Sequence, residues 1–365
     1  MKILSKNEYS IGGKENDGIL YFIGGNEDKS LYFPFLLYIP NNCGIDTDLV
    51  CSCQTPVSHN DKTFDEAIDA TAKEARFGPV VKRLSLKYHL PAIIPIIPKY
   101  AGFNTAYLGT ETYHNDFNAL KEYMKCDYCK LSEEDLGKFK DIHEQVCVMF
   151  EEAKKFLREQ GYNPDDRVIM SGYSAASKFA IFFATLHPNL VKMVIGGGTS
   201  GLNIIPLKEY NGYKINYPIG ISDVPNFDFE EFKKIQQFYY IGSEDINDPA
   251  IPKCVMDPSK GDECGNKLPL LDEDGNRTYI TDEEGNYQVF YKGLYTDYDI
   301  NVINKGLSDN IQTRFDIVKE IYETMEINAE FRKYPGNHVS IWEQGELYED
   351  VLEQYEKLLD EEYKK

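Results

Sequence analysis

The sequence predicts an α/β protein with a mostly parallel central sheet and helices on both faces. Three observations lead there. Short runs of β-forming apolar residues alternate with segments whose apolar residues recur at helical spacing. Strands that alternate with helices pair in parallel and are covered on both faces. The 365 residues are 42% hydrophobic, enough to bury a sizeable core in one large domain.

The elements follow in order along the chain. GILYFIGG (Gly18 to Gly25) and LYFPFLLYIP (Leu31 to Pro40) are rich in aromatic and aliphatic residues and read as strands. DLVCSC (Asp48 to Cys53) is a short apolar strand, and FDEAIDATAKEARFGPVVKRLSLKYH keeps helical spacing to about His89. LPAIIPIIP (Leu90 to Pro98) is too short and too Pro-punctuated for a helix, so it reads as a buried strand entering a loop. LGKFKDIHEQVCVMFEEAKKFLREQGY (Leu136 to Tyr162) predicts a long helix ended at Gly161. RVIM then forms a strand, ASKFAIFFATLH a helix and VKMVIGGG (Val191 to Gly198) a strand. Finally come strand QFYYIGSED, helix IQTRFDIVKEIYETM, strand NAEFRKYPG and helix GELYEDVLEQYEKLLDEEY.

One segment, residues 251–310, breaks this rhythm. It holds a near repeat, DEDGN (Asp272 to Asn276) and DEEGN (Asp282 to Asn286), flanked by alternating β-formers, which predicts a small β-meander. DEDGN lacks the alternating ligands and distal Glu of a calcium loop. The expectation is a single domain over 1–365 with a β-rich insertion at 251–310.

Charge and composition narrow the functional classes. Sixty acidic against 39 basic residues give a net charge of −21, which repels phosphate backbones and anionic membranes, so neither nucleic acid nor membrane is expected as a partner. No run is long and apolar enough for a bilayer span, and the first residues lack the apolar centre of a signal peptide; a cytoplasmic location is expected. The eight cysteines are too sparse for a disulfide scaffold and read mostly as free thiols. Cys126 and Cys129 have C-x-x-C spacing, but the pair Cys51 and Cys53 lies far away in sequence, and neither metal nor cofactor is expected. GGGTSG (Gly196 to Gly201) lacks the lysine of a phosphate loop and reads as a strand-end turn over the site. The 27 tyrosines suit a site for sugars or aromatic groups, or simply half-buried surface. Oligomeric state is not fixed by these features.

Sites in parallel sheets lie in the loops at the carboxyl ends of strands, so the chemistry is sought there. The turn in RVIMSGYSAASKFAIFFATLHP (Arg167 to Pro188) puts Ser174 between a strand and a helix, as in a nucleophile elbow. Gly172 supplies the small residue two before the serine, and Ala176 stands where Gly is commoner. A hydroxyl needs a base to become a nucleophile. Of six histidines, His338 follows the last strand after Pro335 and Gly336, in reach of a neighbouring strand end. His59 and His114 lie in loops after strand ends, His143 inside the long helix, His89 at a helix end and His187 at the end of the elbow helix as a cap. For the acid, QFYYIGSEDINDP offers Asp245 as first choice and Asp248 as second. The N–H of Ala175 is the first oxyanion donor, and Gln54 or Thr55, before Pro56, the second.

The order Ser174, Asp245, His338, with LLYIP, GYSAAS, YYIGSED and GNH followed by Trp342, resembles the α/β-hydrolase superfamily, in its esterase and poly(hydroxyalkanoate) depolymerase-like branch. The resemblance runs from about Gly18 to the end, apart from the 251–310 insertion. It implies an α/β-hydrolase fold, a serine nucleophile, a histidine base, an acidic third member and no metal. Ala176 and the missing His-Gly-Gly oxyanion signature depart from the family pattern. The expected activity is hydrolysis of a carboxylic ester, with a small-molecule or saccharide acyl ester as substrate. The loop that follows IIPIIP and residues Leu202 to Phe229 would shape its pocket. The same triad would also serve a peptidase or acyltransferase, and the fold alone a non-catalytic binding protein.

Overall fold

A computed structural model describes residues 2–363 apart from 14, 55, 56, 58, 60, 100–130, 249–254, 262–266, 271, 272, 274–277 and 281–296. Its centre is a nine-stranded sheet. The first half comprises β1 (Ile3–Tyr9), β2 (Gly18–Ile23), β3 (Phe35–Pro40), β4 (Asp46–Ser52), helices α1 (Phe64–Glu74) and α2 (Pro79–Tyr88), then β5 (Ala92–Pro95). The second comprises α3 (Ile142–Glu159), β6 (Asn163–Tyr173), α4 (Ala175–Leu186), β7 (Val191–Gly197), β8 (Gln236–Gly242), α5 (Ile311–Thr324), β9 (Ala329–Tyr334) and α6 (Gly345–Tyr363).

The spatial order is β1-β2-β3-β5-β4-β6-β7-β8-β9. β1, β2, β3 and β5 pair antiparallel in turn, and every pairing from β5 through β4 to β9 is parallel. Alternate strand residues feed two cores. Leu49, Cys51, Val168 and Met170 face α1, α3, α4 and α5. Val50, Ile169, Phe238 and Tyr240 face α2 and α6. Both faces are therefore dry, which explains why the central strands read as continuous apolar runs and not as alternating ones. This arrangement is the α/β-hydrolase fold.

Three boundaries differ from the sequence reading. The stretch ending at His89 is two helices, because Pro79 lacks an N–H and sits at the first turn of α2 after Gly78. The helix before β6 begins at Ile142, since Asp141 takes a left-handed φ of 50°, and Glu133–Gly137 is a separate short helix. β1 was not anticipated: six of its seven residues are exposed, and it is held at the sheet edge by pairing with β2. Within 251–310, Met256–Gly261 pairs antiparallel with Lys267–Pro269. The end of that range is helical, as Asp297–Asn301 followed by a π-type turn, Val302–Leu307. The DEEGN repeat, and all of DEDGN except Glu273, lie outside the described residues, as do Cys126 and Cys129. Cys43, Cys51, Cys53 and Cys147 are free thiols. Among the described residues no helix is long and apolar enough to cross a membrane.

Candidate active site

β6 ends at Tyr173 and α4 begins at Ala175, so Ser174 alone makes the turn. Its φ of 58° and ψ of −128° are costly for a residue with a side chain, on the order of 1–3 kcal/mol. Hydrogen bonds hold it there. Its N–H donates to the Gly197 carbonyl at 2.8 Å, and its own carbonyl accepts from the N–H groups of Ser177 (3.0 Å) and Lys178 (3.2 Å). A β-carbon on Gly172 would lie 2.3 Å from the Ala176 carbonyl oxygen and 2.6 Å from the Ser177 nitrogen, so only glycine lets strand and helix pass this closely. Ala176, by contrast, tucks its methyl into the core at 4% exposure. The N–H of Ala175 is among the first four of α4, which have no partner within a helix and carry its positive end.

His338 and Asp245 arrive on the loops that follow β9 and β8, two neighbouring strands. The loops are tied together: the Ser243 N–H donates to the Tyr334 carbonyl (2.8 Å) and the Glu244 N–H to the Gly336 carbonyl (2.9 Å). Gly336, at φ 111°, makes the turn that carries His338 back over the sheet. Asp245 is buried at 1% exposure, and its Oδ2 lies 2.7 Å from His338 Nδ1. Its Oδ1 accepts the N–H of Asn247 at 2.9 Å. With the carboxylate as acceptor, the hydrogen of this contact belongs to Nδ1 and the lone pair to Nε2.

Two contacts seat this histidine beside the elbow. The hydroxyl of Tyr173 donates to the His338 carbonyl at 2.6 Å, and the two rings lie 4.9 Å apart. Gly198, next to the Gly197 that binds Ser174, has a φ of 63°; a β-carbon there would come within 2.9 Å of His338 Cε1. Burial pushes the Tyr173 phenol well up, and the Asp245 charge adds to this, so it stays a neutral donor.

Asp248, the second choice for the acid, faces elsewhere. Its carboxylate is fully buried against Arg314 of α5, Oδ2 lying 2.7 Å from Nη2. Lys178, one turn into α4, lies buried near this pair; burial pushes its ammonium down to about 7, against the pull of Asp248 and with the push of Arg314. Gln54 follows β4, where its amide donates to Ser52 Oγ (3.1 Å) and the Cys53 carbonyl (3.2 Å). Thr55 lies outside the described residues, as does His114. His59 is buried with Nε2 3.5 Å from Glu74, His89 caps α2, and His143 and His187 meet each other on α3 and α4. A cavity of about 290 Å³ borders Gln54, Phe77, Gly172, Tyr173, Tyr240 and Trp342. Residues Leu202 to Phe229 pack against α4 and α5 through Ile204, Ile205, Ile215 and Ile219. The sequence reading passes over Tyr173 and Lys178, since their value depends on partners distant along the chain, and takes in Gly198 only as part of the strand-end turn GGGTSG.

Fold and site together define an α/β-hydrolase-fold chain with a serine at the elbow after the central strand β6. No protein-family model and no curated protein matches the chain. Among solved structures it is similar to a poly(3-hydroxybutyrate) depolymerase from Bordetella parapertussis, at 11% identity over 92% of this chain and 94% of that one, with a TM-score of 0.46. It is also similar to an S-formylglutathione hydrolase from Agrobacterium tumefaciens, at 11% identity over 98% and 100% of the two chains, with a TM-score of 0.42. A siderophore hydrolase from Aspergillus nidulans shares 13% identity over 95% and 96%, with a TM-score of 0.39.

Proposed function

We propose that the chain hydrolyses carboxylic esters through an acyl-enzyme, as an esterase-type member of its fold. His338 Nε2 takes the proton of Ser174 as Oγ attacks the ester carbonyl. The N–H group of Ala175 and that of Gln54 or Thr55 hold the oxyanion. The tetrahedral intermediate collapses, His338 protonates the departing alcohol, and Ser174 is left acylated. Water then attacks, giving its proton to His338, and as the bond to Oγ breaks His338 returns that proton to Ser174 and the acid leaves. Asp245 keeps the imidazole in the required tautomer and stabilises the imidazolium that forms. The cavity beside Tyr173 and Trp342 gives a small acyl or alcohol group an aromatic wall.

The observation that supports this reading most is the 2.7 Å contact of buried Asp245 with His338 Nδ1, on loops adjoining the strained Ser174 turn. The test is labelling by a fluorophosphonate probe, together with turnover of a panel of acyl esters, acetylated sugars and peptides. Wild type is expected to be labelled and to cleave esters, and Ser174→Ala to do neither. Equal labelling of the two proteins would remove Ser174 from the mechanism.

A further inference from the structure

Away from the Ser174 site, the amino end of α3 and the carboxyl end of α4 meet through two imidazoles. His143 is the second residue of α3, and His187 caps α4. Nδ1 of His143 lies 2.9 Å from Nε2 of His187, with ring centroids 5.1 Å apart and planes tilted by 36°. The Glu144 carboxylate reaches to 3.6 Å from the same Nδ1. One donor atom from each residue falls within a common span of 4.8 Å. His143 is almost covered at 9% exposure, whereas the Glu144 side chain is 62% exposed, so the group is walled on one side and open to water on the other.

We propose that His143, His187 and Glu144 form a binding site for a divalent transition-metal ion of the zinc class. The donor set decides the class: two imidazole nitrogens and one carboxylate oxygen suit zinc, whereas calcium and magnesium prefer oxygen alone. Three protein ligands leave one tetrahedral position on the Glu144 side for water. With metal–nitrogen distances of about 2.0–2.1 Å, tetrahedral coordination requires the two nitrogens to be roughly 3.4 Å apart. From 2.9 Å the rings need separate by only about half an ångström.

The protons balance without loss. In the pair as it stands, one facing nitrogen carries the hydrogen that the other accepts. On metal binding that hydrogen moves to the remote nitrogen of its own ring, and both facing lone pairs turn to the ion. The ion would then join the amino end of α3 to the far end of the helix that begins at Ser174, in the manner of a staple.

The test uses the full chain, stripped with a chelator and desalted, and Zn²⁺ as the only added probe. Calorimetry is expected to give one ion per chain with micromolar affinity and a rise of a few degrees in Tm. His187→Gln should weaken binding about 100-fold and Glu144→Gln about tenfold, with unchanged circular dichroism. Co²⁺ in the wild type should give the comparatively intense visible d–d bands of a four-coordinate ion without a thiolate charge-transfer band. The proposal is overturned if wild type binds no Zn²⁺ below about 1 mM, if His143→Gln/His187→Gln binds it as wild type does, or if Co²⁺ reports thiolate ligation.

Discussion

The hydroxyl of Tyr173 donates to the backbone carbonyl of His338 at 2.6 Å, so the residue just before Ser174 holds the loop of the histidine that would activate it. The same ring packs on Trp342 at 4.4 Å, one turn beyond His338. Removing the hydroxyl leaves the packing and loses one buried hydrogen bond, worth about 1 kcal/mol. If that energy is spent on positioning His338, Tyr173→Phe lowers kcat about fivefold with KM unchanged. Steady-state kinetics on a p-nitrophenyl ester measure this, and a wild-type kcat would show that the tie does not serve the reaction.

Gly198 tests the seating of His338 from the other side. An alanine there would bring its methyl 2.7 Å from Tyr173 Cζ and 2.9 Å from His338 Cε1 while keeping a φ of 63°. The imidazole must shift, and a displacement near 1 Å costs about 100-fold in turnover. Gly212→Ala is the control: it also has a positive φ, 78°, but open space around its β-carbon, so it pays only the backbone strain. Turnover and Tm measured for both should show activity lost in the first alone.

The two aspartates after β8 are expected to give different phenotypes. Asp245→Asn keeps the geometry but inverts the hydrogen-bonding role of Nδ1, and kcat is expected to fall about 10⁴-fold with Tm nearly unchanged. Asp248→Asn leaves Arg314, with no exposed side-chain surface, facing a neutral amide. That variant is expected to lose about 3–5 kcal/mol of stability while its folded fraction keeps turnover within about tenfold. Urea midpoints and turnover per probe-labelled site distinguish the two, and an exchange of these phenotypes would reassign the acid.

Much of this was legible in the sequence for one physical reason. A parallel sheet sends the loops after its strands to one end, so Ser174, Asp245 and His338 could be found as chemistry-bearing residues just past apolar runs. Asp245 and Asp248 could not be separated that way. What distinguishes them is Arg314, 66 residues beyond Asp248, and no local pattern announces a pairing at that range. β1 escaped because ILSKNEY shows no apolar face; its pairing with β2 comes from the backbone. Tyr173 was visible inside GYSAAS, yet its use is set by a carbonyl 165 residues away.

Lys178 gives the pH prediction. Burial drives its ammonium down to about 7 in the fold, from an ordinary value of 10.5. Between those values the unfolded chain holds a proton that the folded chain has released, so unfolding free energy rises with pH across that window. Below about 7 both states are protonated and the fold bears the full cost of a buried charge beside Arg314. Lys178→Met removes that cost and keeps similar volume. The variant is expected to be more stable by on the order of 2–4 kcal/mol at pH 6.5, with the gain shrinking toward pH 10 as wild type sheds the proton. Denaturant midpoints at the two pH values measure it. A gain independent of pH would mean that packing, and not the buried charge, sets the stability at this position.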